Sequence, residues 1–364
     1  MNTQVYTAAC ADYGAACEAV ERILAHYGGA EAFLQKGRRV LIKPNLLMAR
    51  APDAATTAHP AVVAAVAGAF VRAGGEVTIA DSPGGPYSAF NLGPVYHACG
   101  MDRAAEESGA HLNYDFSHRD VSFRDRSLRL ISPVTEADVI ISIGKAKTHM
   151  LTGFTGAAKN LFGCVAGMEK AMWHSRLPGV EAFCALLCDI AEYVSPTLSL
   201  IDGVLGMDGK GPSGGRPRKV GALVASENPF AADLEMMRIC GFDPALAPLH
   251  KEAVRRGLVP LSADGLTQAG DKLEPLNPPF APAAKLKNSH AVIGYLPRRL
   301  RQPLQRLLLP LPKFGDRCVG CGKCAEACPR QAISISHGRA VLDKSKCIQC
   351  YCCHELCPAK AVEL

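Results

Sequence analysis

No uninterrupted apolar stretch near twenty residues runs through this 364-residue chain, so a transmembrane helix is not expected. Residues 1–9 carry no basic region leading into an apolar run, so no secretory signal is read there, and a cytoplasmic protein is expected. No G-x-G-x-x-G follows the first apolar runs, which removes the usual nicotinamide or flavin fingerprint. Gly209-Lys210-Gly211 lacks the Ser/Thr and the glycine spacing of a P-loop. Gly211-Pro-Ser213-Gly-Gly215 satisfies the G-x-S-x-G string but runs into Arg216-Pro217 rather than a helix, so a nucleophile elbow fails. Common cofactor and hydrolase motifs are therefore missing.

Cysteine, by contrast, is plentiful: the chain has 16. Eight of them (Cys10, Cys17, Cys99, Cys164, Cys184, Cys188, Cys240 and Cys352) are scattered without a disulfide framework, which fits a reducing compartment and an anaerobic metabolism. Cys164 adjoins a glycine-rich stretch, where a redox thiol and an ordinary buried cysteine are both conceivable, the second being the commoner. The other eight close the chain in two runs, Cys318-x-x-Cys321-x-x-Cys324-x-x-x-Cys328-Pro329 and Cys347-x-x-Cys350-x-x-Cys353-x-x-x-Cys357-Pro358. This spacing resembles that of a bacterial two-cluster ferredoxin, in which three thiolates of one run and the last of the other hold each [4Fe–4S] cube. Cys318, Cys321, Cys324 and Cys357 are expected to hold one cube, and Cys347, Cys350, Cys353 and Cys328 the other. Structural zinc is the plain alternative, but two complete copies with the terminal Cys-Pro argue against it.

With 48% hydrophobic residues the chain can bury a large core. Residues 1–260 alternate short β-branched runs (40–42, 76–80, 139–143, 197–201 and 219–225) with helical patterns near 14–27, 60–73, 95–108, 179–194 and 229–240. The expected fold class is α/β, a mainly parallel sheet covered by helices on both faces, followed by a small α+β ferredoxin-type domain over 315–364. Between them, 261–314 reads as a Pro-rich basic connector, because eight prolines deny it long helices. Residues 285–317 hold eight Lys or Arg against one Asp, so the remainder of a chain of net charge +6 is close to neutral. This segment suits either an anionic membrane surface or a simple solvated connector, the plainer reading. It lacks the interleaved aromatics of a nucleic-acid surface, so no nucleic acid is expected.

In such sheets function gathers where strands end. Lys43, Asn45, Asp81, Ser82, Lys145, Lys147, His149 and Asp202 sit at those ends. Lys145-Ala-Lys147-Thr-His149, followed by glycine-flanked Lys159 and Asn160, reads as an anion-binding loop after a buried strand, or as a solvated surface loop. Lys43, Asn45, Ser82, Lys145, Lys159 and Asn160 are the candidate substrate-binding residues. His149, Lys147 and Asp81 are the candidate catalytic ones, with His149 first because neighbouring cations would keep its imidazole neutral. Asp81-Ser-Pro-Gly-Gly85 is equally ordinary turn chemistry.

Taken together, Lys43-Pro-Asn45-Leu, Asp81-Ser-Pro-Gly-Gly85, Lys145-x-Lys147-x-His149, Lys159-Asn160-Leu-Phe-Gly163 and Ile201-Asp-Gly203-x-x-Gly206-Met-x-Gly209-x-Gly211-Pro212 resemble the domain of unknown function 362 family over residues 1–260. The resemblance implies fusion to a two-cluster ferredoxin domain and names no substrate. The resulting expectation is an iron–sulfur oxidoreductase with two [4Fe–4S] clusters, loaded by a low-potential donor such as a ferredoxin and acting on an anionic small molecule. The alternatives are a non-enzymatic electron-relay or maturation subunit that docks a partner protein, and an enzyme whose clusters are regulatory.

Overall fold

The structure, a computed structural model, describes residues 2–177, 179–283 and 310–364. Most of the basic segment singled out above (284–309) lies outside them. The central sheet has nine strands. In chain order the strands of the large unit are β1 (Gln4–Ala9), β2 (Arg39–Pro44), β3 (Glu76–Ile79), β4 (His111–Leu112), β5 (His118–Phe123), β6 (Arg126–Ile131), β7 (Val139–His149), β8 (Gly153–Thr155), β9 (Leu198–Asp208), β10 (Arg216–Ser226) and β11 (Thr267–Gly270). They lie in the order β11-β1-β10-β9-β7-β2-β3-β4, with β8 folded back on β7 and β5–β6 forming a separate hairpin. Neighbours along that order are parallel except where β10 runs against β1 and β9.

The sheet is mainly parallel and covered on both faces, which is why its central strands read as continuous apolar runs. Helices Ala16–His26, Pro60–Arg72 and Met101–Ser108 pack on one face through Val20, Ile23, Val63, Phe70 and Met101. Helices Val180–Val194, Pro229–Ile239 and Pro248–Arg255 cover the other through Phe183, Leu187, Leu234 and Leu249. The start of Pro60–Arg72 is written in the sequence: Pro60 supplies the helical φ at the first position, and the His59 ring accepts a hydrogen bond from the Ala61 N–H. The sheet also takes in Thr267–Gly270, and Phe280 is buried in the core, so the large unit reaches past residue 260.

Two elements depart from expectation. The single helix near 95–108 is two, Ala89–Ala98 and Met101–Ser108, because Gly100 between them adopts φ 73°, which an α-helix cannot contain. More consequentially, β7 does not stop at residue 143. It continues through Lys145 and Lys147 to His149, buried along its whole length, so these residues belong to a strand rather than a loop. Their spacing of two is the strand period, and that was the signal for it.

The carboxy-terminal unit is small. It contains β12 (Lys313–Phe314) paired with β15 (Val362–Glu363), β13 (Ile333–Ser336) paired with β14 (Arg339–Leu342), and helices Lys323–Glu326 and Cys352–Glu355. Its main buried apolar cluster among the described residues is Cys324, Ile333, Ala340, Cys353 and Val362.

Candidate functional site

Charged side chains are buried where β2, β3, β7 and β9 end, and each has a specific partner. The Lys43 ammonium, with no solvent exposure, lies 2.6 Å from Asp81 Oδ1 and donates to Asn160 Oδ1 and the Pro44 carbonyl, both at 2.9 Å. Asp81 Oδ2 accepts from the Leu46 N–H at 2.9 Å. Asn160 returns its own N–H groups to the Lys43 carbonyl and Ser142 Oγ. Gly163 completes this knot by what it lacks: a Cβ there would strike Asp81 Oδ1 and come within 2.6 Å of Lys43 Nζ. Such a pair is tolerable in a low dielectric only because nearly every lone pair and proton is used.

Lys145 makes a second knot, 2.8 Å from both Asp202 Oδ2 and the Tyr13 hydroxyl. Asp202 also accepts from the His59 N–H, and the His59 ring stacks on Tyr13 at 3.5 Å. Lys147 is also buried but has no carboxylate partner among the described residues; it donates to Asn45 Oδ1 and the Thr56 carbonyl, both at 2.7 Å. Burial, with Lys159 and Lys145 adding to it, drives its ammonium well below the ordinary lysine value.

His149 lies between the two units. Its Nδ1 accepts from the Leu151 and Thr152 N–H groups, which leaves the proton on Nε2, 3.0 Å from Glu355 Oε1 of the carboxy-terminal unit. Burial first and Lys159 second lower His149 to about 4, so it is neutral at pH 7. Glu355, despite its burial, is held well below the usual carboxylate range by His149 and Lys159. Other contacts close the same joint: Arg50 Nη2 donates to the Pro358 carbonyl at 2.6 Å, Ser213 Oγ to that of His354 at 3.4 Å, and Leu356 occupies the space a Cβ on Gly84 would need.

Beside this joint lies a cleft of about 750 Å³. The large unit contributes Lys43, Asn45, Asp81, Ser82, Lys159, Asn160, Lys170 and His174, and the small unit Ala327, Cys352, Glu355 and Leu356. Six of the nine candidate residues from the sequence therefore converge there. Lys145, Lys147 and His149 do not line it. Sequence reasoning missed Lys170, His174, Cys352 and Glu355. Lys170 and His174 are four apart on helix Glu169–Arg176, a spacing that puts them on one face and was the available signal. Lys170 Nζ donates to Ser82 Oγ at 2.9 Å and the Val165 carbonyl at 2.7 Å, and burial lowers it to about 7.

Two further cavities lie in the small unit. One, about 330 Å³, is lined by Cys318, Cys321, Cys324 and Cys357; the other, about 340 Å³, by Cys328, Cys347, Cys350 and Cys353. Each takes three cysteines from one run and the last from the other. Backbone N–H groups of Ala340, Ala332 and Ala361 point at Cys318, Cys328 and Cys357 Sγ at 3.4, 3.2 and 3.2 Å, as suits sulfurs that carry negative charge. The residues fit a four-thiolate cube in each cavity. Cys352 lines the second cavity as well as the cleft.

Residues 40–238 match the family described as domain of unknown function DUF362. The chain belongs to the DUF362 family. Residues 317–361 match the 4Fe-4S dicluster domain, the fusion expected from the cysteine runs. A thylakoid-associated protein of Synechocystis sp. is 36% identical over 260 residues, which span 69% of this chain and 78% of that protein. Among solved structures, the lactate racemase apoprotein from Thermoanaerobacterium thermosaccharolyticum aligns over 66% of this chain and 58% of its own, at 14% identity and TM-score 0.40. A Thermotoga maritima protein aligns over 52% and 50%, at 14% identity and TM-score 0.33. The chain thus spans 58% of the first of these solved structures and half of the second. Among the described residues, no helix of this DUF362 protein is long and apolar enough to cross a membrane.

The buried imidazoles predict an acid response. Burial lowers His59, His149 and His174 from 6.5 to about 4. Between those values the unfolded chain binds more protons than the folded one, so stability is lost as pH falls from 6.5 towards 4. Glu355, held low, works in the same direction below the ordinary carboxylate value, and Lys170, lowered to about 7, extends the trend upward in pH. Melting temperature should fall steadily from pH 6.5 to 4, and a flat profile there would contradict the burial of these groups.

Proposed function

We propose that this protein is an iron–sulfur oxidoreductase, supplied by an external low-potential carrier, that reduces a small anionic molecule held in the cleft between its two units. The position of Cys352, in the walls of both the cleft and a four-cysteine cavity, carries this reading. Cubes held by Cys318, Cys321, Cys324 and Cys357 and by Cys328, Cys347, Cys350 and Cys353 would, when bound, supply single electrons at a potential set by their surroundings. The chain's own residues do the rest. Lys43, Asp81 and Asn160 form a rigid floor, since their polar atoms are spent on one another. Lys159 brings positive charge to the cleft wall. Reduction also consumes protons, and Lys170 is suited to supply them because its ammonium titrates at about 7 while hydrogen-bonded to Ser82 at the cleft wall. His149, bonded through Nδ1 and 3.0 Å from Glu355 through Nε2, acts in this reading as a fastener between the units.

Iron analysis and electron paramagnetic resonance of the anaerobically reconstituted, dithionite-reduced protein test this proposal. About eight irons per chain and two interacting reduced cubes are expected, with reoxidation on addition of a small-anion acceptor. Reconstitution without cubes sinks the proposal. Full cubes that no small anion reoxidises, together with a stable stoichiometric protein partner, would favour an electron-relay subunit.

A further inference from the structure

The geometry points to a carboxylate-binding site at the inner wall of the cleft, which we propose is formed by Lys159 and His174, both beside Phe162. The inference rests on the reading that the cleft receives the substrate, and it names the chemical class the cleft takes. The other lysines there are already spent: Lys43 on Asp81 and Asn160, Lys170 on Ser82 and the Val165 carbonyl. Lys159 and His174 are different. Lys159 has no hydrogen bond or ion pair among the described residues; its ammonium stands 6.0 Å from the centre of the Phe162 ring. His174 is 8% exposed, lines the cleft, and has no hydrogen-bond partner for either ring nitrogen among the described residues.

With no protein partner, the ring nitrogens of His174 are left to water or to a ligand in the cleft. The ring is not free to turn away, because it is stacked on Phe183 at 4.2 Å and set edge-on to Phe162 at 6.0 Å. It is neutral at pH 7, so it offers one N–H donor, while Lys159 offers charge. Glu355, the nearest carboxylate of the small unit in the cleft, is turned to His149 instead. One cationic donor and one neutral donor match the two oxygens of a carboxylate, and Phe162, Ala171 and Leu356 leave apolar wall for the body of the molecule. A phosphate would call for more free donors than these.

The test uses the full-length, cube-reconstituted protein in its oxidised state, so that binding is measured without electron transfer. Titration calorimetry with butyrate and with inorganic phosphate should show butyrate bound and phosphate bound more weakly. Lys159→Met should weaken butyrate binding about tenfold or more, as expected for losing a charge-assisted hydrogen bond, and Lys159→Arg should retain most of it. His174→Phe keeps a ring to stack on Phe183 and should weaken binding about fivefold. Absence of butyrate binding in the wild type, a preference for phosphate, or unchanged affinity in both Lys159→Met and His174→Phe would overturn the site. Butyrate binding with these losses, in a protein whose reduced cubes reoxidise with no small anion, would uphold the carboxylate site and remove the oxidoreductase reading.

Discussion

Replacing Asp81 with alanine should destabilise the large unit by about 3–5 kcal/mol, the cost of stranding one charge of a buried pair. The Lys43 ammonium has no exposure and, among the described residues, its only carboxylate within ion-pair distance is Asp81, at 2.6 Å. The same change also removes the acceptor for the Leu46 N–H. Asp81→Asn keeps an oxygen for that N–H and should cost less. The double replacement Lys43→Met, Asp81→Leu should recover much of the loss, because an apolar pair leaves no stranded charge. Urea denaturation of the three variants decides between a structural and a catalytic Asp81. A cost below about 1 kcal/mol for Asp81→Ala, the range of an exposed ion pair, would mean that the pair is not buried as described. Gly163→Ala should act on the same knot, since its added methyl would push directly against Asp81 and Lys43.

Removing iron should unfold the carboxy-terminal unit while leaving the large sheet intact. A buried core of Cys324, Ile333, Ala340, Cys353 and Val362 is too small to hold about fifty residues without a metal staple. Binding free energy in such a unit is folding free energy. Hydrogen exchange after chelation should therefore show protection lost over 311–364 and retained in β2, β7 and β9. Single cysteine replacements add a sharper expectation, because the cavities draw their walls from both runs. Cys357→Ala should abolish the cube of Cys318, Cys321 and Cys324, and Cys328→Ala that of Cys347, Cys350 and Cys353. If Cys357→Ala instead removed the cube of its own run, the crossed assignment would be wrong.

The parts of this protein that could be read from the sequence are those whose physics is local. Three of the four thiolates that share a cube are supplied by one tight loop, so the runs Cys318–Cys328 and Cys347–Cys357 announce themselves by spacing. Short β-branched runs between helical patterns announced a covered parallel sheet. Helix caps such as His59-Pro60 are equally local. The extent of β7 was also legible, in the alternation of Lys145, Lys147 and His149, but charged residues in a strand look like a loop until their partners are known.

Those partners are what only the tertiary structure decided. Lys43 meets Asn160 across 117 positions, and Lys145 meets Tyr13 across 132. No local rule foretells such pairings, because a charge can be buried only where the completed fold brings its counter-charge. His149 is the clearest case: its spacing and its lysine neighbours suggested a free acid–base residue, yet two backbone N–H groups occupy one ring nitrogen and a glutamate from the other unit lies 3.0 Å from the second. The cleft depends on the same long-range closure, since its walls come from two units that close on each other at Arg50, Gly84, His149 and Ser213. Local spacing determined which cysteines form the two runs, and packing determined which lysines and histidines remain open to a ligand.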